Sequence, residues 1–129
     1  MEKSKEQRIY VVVAETIQVP VTWQDDESPL RTVAQPIGRQ VAQACHAVSK
    51  LRLTKDGSSE PIITIVLQAR DSAELDHVFF LLTRRHLRSI IFSDNNPEYG
   101  PGNWPTAIAV LATQKQISGI LDYLPLWGK

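Results

Sequence analysis

The run RIYVVVA at positions 8–14 constrains this chain most strongly, with three consecutive valines between Ile9, Tyr10 and Ala14. It is β-branched and too short for a helix, so it reads as a strand. Because it does not alternate polar with apolar residues, that strand needs cover on both faces. Three more short apolar runs follow, IITIVLQ at 62–68, SIIFS at 89–93 and TAIAVLA at 106–112. Segments with helical spacing separate the first three of these runs, whereas the last two are joined by the loop DNNPEYGPGNWP. The order β-α-β-α-β-β-α predicts an α/β three-layer sandwich: a four-stranded mixed β-sheet with helices on both faces.

The first helix opens at Pro36, a residue suited to a first helical turn. Ile37, Val41, Ala44, Cys45, Val48 and Leu51 fall on one apolar face, expected to meet the sheet, which makes Cys45 a buried thiol. Arg39, Gln43, His46 and Lys50 recur on a polar stripe. KDGSSE at 55–60 has turn chemistry. Asp71 with Glu74 forms a capping box for a second helix that carries Leu75, Val78, Phe79 and Leu82 inward. The basic cluster Arg84, Arg85, His86 and Arg88 follows, favourable beside a helix C-terminus. Thr113 and Gln116 repeat the capping pattern before a third helix bearing Ile117, Ile120, Leu121 and Leu124. Residues 17–35, with two prolines and an acidic cluster at Asp25, Asp26 and Glu27, read as a long loop excursion.

At 129 residues and 43% hydrophobic content the chain fits one domain over 1–129. The charged start MEKSKEQR lacks the apolar core of a signal peptide, and no apolar run reaches spanning length. A soluble, cytoplasmic protein without membrane contact is therefore expected. One cysteine excludes an internal disulfide, and three scattered histidines have no metal-ligand spacing, so no metal site is expected. Fourteen basic residues against fourteen acidic ones give zero formal charge, so nucleic-acid binding requires a local basic patch.

Two motifs carry a family resemblance. GRQVAQACHA at 38–47 has Gly38, Ala42, Gln43, His46 and Ala47, and DNNPEYGPG at 94–102 has Asp94, Pro101 and Gly102. In both, and along nearly the whole chain outside 17–35, the sequence resembles the archaeal and eukaryotic-type peptidyl-tRNA hydrolases. The resemblance implies that family's type II fold and cleavage of the ester joining a peptide to tRNA, in translation. It also implies no metal or organic cofactor, tRNA or peptidyl-tRNA as partner, and a homodimer. Carried onto this sequence, it makes Arg39 and Asp94 the candidate catalytic pair, with Gln43, His46, Gln68, Glu98 and Tyr99 around the substrate. Arg39 stands where the family has lysine, keeping the charge but unable to act as a base. Gln68 replaces a second lysine, Cys45 a serine, and Glu98 falls near the family's threonine.

Each of these residues also has a plainer reading. Asp94 is equally a turn-forming residue, His46 a structural helix histidine, and the 84–88 cluster a set of helix-capping cations. Trp104 before a strand reads as packing, while Tyr99 in its loop, and less so Trp127, can stack on a base. The replaced lysines and the acidic 25–27 cluster support a second functional reading: a non-catalytic descendant of the fold that binds RNA, a nucleotide or a protein.

Overall fold

The computed structural model describes residues 6–20, 29–53, 62–99 and 102–128. The valine run lies in β1 (Gln7–Ala14), which is an inner strand of the main sheet. On one side it pairs in parallel with β4 (Thr64–Ala69), and on the other antiparallel with β6 (Trp104–Thr113). The last strand, β5 (Arg88–Asp94), adds antiparallel to β6, giving the order β4-β1-β6-β5 in a four-stranded mixed sheet.

Alternation along β1 explains why it has no polar face. Ile9, Val11 and Val13 share one buried cluster with Ala47 and Leu51 of α1 (Ile37–Leu51). Tyr10, Val12 and Ala14 share the other with Leu75, Val78 and Leu82 of α2 (Ser72–Arg84). The sheet is thus covered on both faces, as its sequence requires. Asp71 caps α2 through its side chain, accepting from the Glu74 backbone N–H at 2.9 Å.

Three expectations are corrected. The first concerns 17–35, read as an irregular excursion. Its described residues form β2 (Thr16–Pro20) and β3 (Leu30–Ala34), an antiparallel pair with Ile17 opposite Val33. Ile17 and Val19 are fully buried in the α2-side core, and their alternation with Gln18 and Pro20 was the overlooked strand signal. The acidic residues 25–27 and the 55–60 turn lie outside the described residues.

The second correction concerns the rotation of α1. Its buried residues are Gln40, Gln43, Ala47 and Leu51, whereas Ile37 is 70% exposed, Val41 45%, and Cys45 is also exposed. The face toward the sheet includes two glutamines because the Gln40 amide is bonded on both its oxygen and its nitrogen and the Gln43 nitrogen donates to Asp94, which offsets part of the cost of burying them.

The third correction concerns 114–124, where turns replace the expected third helix. Thr113 and Gln116 do exchange the two capping hydrogen bonds, at 2.8 and 3.3 Å. Gly119, however, takes φ +80°, a left-handed conformation that stops a right-handed helix. Ile117, Ile120, Leu121 and Leu124 are still buried, as their spacing predicts.

Candidate functional site at the end of strand β5

Asp94 is the last residue of β5, and the chain then turns through Pro97–Tyr99, a short 3-10 segment. Across from it stands the first half of α1. Gln43 Nε2 donates to Asp94 Oδ2 at 2.8 Å, and the Asn95 backbone N–H donates to Oδ1 at 2.9 Å. Both carboxylate oxygens are therefore oriented, and each retains a lone pair. Gln43 is buried, and its Oε1 meets no donor among the described residues.

Arg39 lies one helical turn before Gln43, which puts the two on one side of α1. Its guanidinium contacts Glu98 Oε2 at 3.2 Å and hydrogen-bonds to Tyr99. Desolvation pulls the Arg39 pKa down, but the bonds to Tyr99 and Glu98 outweigh it and hold the guanidinium above its usual range. Arg31 of β3 also reaches this turn, donating to the Glu98 carbonyl at 2.6 Å. Glu98 thus gathers two cations.

Behind Arg39 runs a chain of polar groups that composition and motif spacing did not reveal. The Tyr99 hydroxyl donates to Gln35 Oε1 at 3.2 Å, and Gln40 Nε2 donates to the Gln35 carbonyl at 2.7 Å. Gln40 Oε1 accepts from Gln68 Nε2 at 3.1 Å and from the Trp127 indole at 2.8 Å. Burial raises the Tyr99 phenol above its ordinary value, and the nearby Asp94 and Glu98 carboxylates act in the same direction. Arg39 opposes that rise through its hydrogen bond and its charge.

The structure therefore brings together Arg39, Gln43, Asp94, Glu98 and Tyr99. Among the described residues, Gln68 connects to them through Gln40, Gln35 and Tyr99. His46 is exposed on α1 and stacks on Phe92 of β5, ring centroids 5.1 Å apart, which is the plainer of its two readings. Tyr99 was expected to offer a stacking face, but the ring is fully buried and acts through its hydroxyl instead. Trp104 packs against the core and Trp127 serves Gln40, both as structural side chains.

The basic cluster is placed elsewhere. Arg88 begins β5 and Asp94 ends it, so they stand about 20 Å apart at strand spacing. Arg85 is committed to the Gln116 and Ser118 carbonyls at 2.8 and 2.6 Å, and Arg84 lies over the Phe80 ring. Gln35 and Gln40 are the residues that sequence reasoning missed. The available signal was the spacing of Gln40, Gln43, Ala47 and Leu51, a helical face in its own right.

Among the described residues, no group of three or more His, Cys, Asp or Glu side chains is arranged to hold a metal ion, and no helix is long and apolar enough to cross a membrane. No protein-family model matches the chain, and no curated protein matches it.

Proposed function

We propose that this chain is a divergent peptidyl-tRNA hydrolase-like protein that hydrolyses the ester between a peptide and tRNA at the Arg39–Asp94 edge. The observation that carries this reading is Asp94, its two oxygens each held by a donor, at the same edge as the Arg39 guanidinium. Asp94 would use a remaining lone pair to orient the attacking water, and Arg39 would stabilise the oxyanion or an adjacent phosphate. Arg39 keeps its proton under all working conditions, so its role is electrostatic. The homodimer implied by the resemblance belongs to this reading, and sedimentation measures it.

One observation favours a second reading. Arg39 is already neutralised by Glu98, which favours a module that binds an RNA, nucleotide or protein without turning it over. Incubation of a purified N-blocked aminoacyl-tRNA with the wild-type protein and with Asp94→Ala and Arg39→Ala separates the two. Release by the wild type that both substitutions abolish supports the hydrolase. Retention of tRNA by all three proteins with no release supports the binding module.

A further inference from the structure

A separate cavity of about 330 Å³ lies between the start of β1, strand β4 and the 114–126 segment. Its position in the sheet keeps it apart from the Arg39–Asp94 edge. Along β6, Arg8 pairs opposite Ala112 while Asp94 pairs opposite Trp104, at the other end of that strand. Its volume falls at the lower end of ligand pockets, which run from roughly 300 to 1,000 Å³.

The wall is largely hydrocarbon, formed by Ile65, Leu67, Ile117, Leu121 and Leu124. Polar side chains interrupt it: Gln114, Ser118 and Asp122 from the 114–126 segment, and Arg8 and Tyr10 from β1, which are two residues apart and so lie on the same strand face. Tyr10 is 4% exposed, and its hydroxyl makes no hydrogen bond among the described residues; neither does the buried Arg8 Nε. Two adjacent buried donors without acceptors are costly, and the cost is removed when an acceptor lodges beside them. The charged groups nearby leave the guanidinium available. Glu6 touches Arg8 only at 3.9 Å from an exposed position, a weak pairing. Asp122, also on the lining, is engaged as a turn cap, accepting from the Gly119 backbone N–H at 3.0 Å.

We propose that this cavity binds a small amphipathic monocarboxylate, its carboxylate on Arg8 and Tyr10 and its hydrocarbon chain against the leucine and isoleucine wall. A carboxylate suits two donors on one strand face, one of them charged, better than a neutral acceptor does.

The test is titration of the full chain with octanoate, followed by backbone amide NMR, with octanol as the same chain lacking the anion. Saturable shifts confined to β1, β4 and 114–124 are expected, with octanol at least about tenfold weaker. Arg8→Gln is expected to weaken octanoate by a similar factor. Tyr10→Phe is expected to weaken octanoate binding by a smaller factor and to raise the unfolding midpoint of the ligand-free protein, because it deletes an unpartnered buried hydroxyl. Equal binding of octanol and octanoate, shifts centred on α1, or no saturable shift overturns the proposal. The octanol comparison uses the wild-type protein and so stands even where Arg8→Gln does not fold. None of these outcomes bears on tRNA ester hydrolysis.

Discussion

The two helices lie against opposite faces of one sheet and bury different chemistry. Helix α2 inserts Leu75, Val78 and Leu82, all fully buried, and its polar groups stay at its ends or toward solvent. Helix α1 inserts Gln40 and Gln43 in its first half, and only then Ala47 and Leu51. The first half of α1 faces the turn holding Asp94 and Glu98; the second half covers the plain interior of the sheet. Helix α2 thus acts as a lid on the core. Helix α1 acts as a lid over half its length and as a wall of amides over the other half, each amide held by a named partner. The contrast teaches where the fold places its buried polar groups, which is at the end of the sheet where the Asp94–Glu98 turn meets α1.

That comparison is most directly broken by substitutions in each helix. Leu82→Ala is expected to cost about 2–5 kcal/mol of stability, read from chemical unfolding, because a fully buried side chain leaves a void. The local geometry around Asp94 is expected to persist, so binding at that edge survives wherever the protein remains folded. Gln40→Leu keeps the volume of α1 but strips acceptors and a donor from Gln35, Gln68 and Trp127, at about 1–3 kcal/mol. If this variant proves as stable as the wild type, the amide wall is not structural and the contrast fails.

A smaller effect sharpens the comparison by pH. Burial holds the Tyr99 phenol above 10.0, so the folded protein keeps a proton that the unfolded chain releases near that value. The stability contributed by the neutral phenol is complete below pH 10.0 and is lost as pH rises through the folded value. Tyr99→Phe is expected to flatten this alkaline fall; an unchanged slope would remove Tyr99 from its cause. Smallest of all is Ile37→Ser, expected to change stability by less than about 0.5 kcal/mol because Ile37 is exposed. A loss of the size expected for Leu82→Ala would mean that α1 packs with the face its periodicity suggests.

Much of the architecture was legible because hydrophobic spacing and sheet geometry agree. The valine run required cover on both faces, the loop between the last two strands required a mixed sheet, and Asp71 with Glu74 marked the start of α2. Helix α1 was misread in rotation because Ile37, Val41 and Cys45 satisfy the helical period as well as the buried set does. Period alone cannot weigh a buried amide whose partners come from β3–α1, β4, β5 and the C-terminal segment. The short strand around Ile17 and Val19 was hidden by flanking prolines and acids, and the third helix was cut by one glycine conformation at 119. At the site, Arg39, Gln43 and Asp94 were visible from the motifs, whereas Gln35 and Gln40 were not, since their role rests on contacts distant in sequence.

The central claim is that Asp94 acts as a charged group on substrate rather than as a turn residue. Single-turnover release from N-blocked aminoacyl-tRNA by wild type and Asp94→Asn tests it, because asparagine keeps the shape and one of the two acceptor oxygens while removing the charge. The account expects release by the wild type and a rate at least about a hundredfold lower in the variant, with both proteins folded at the assay temperature. Equal rates in the two proteins would contradict it.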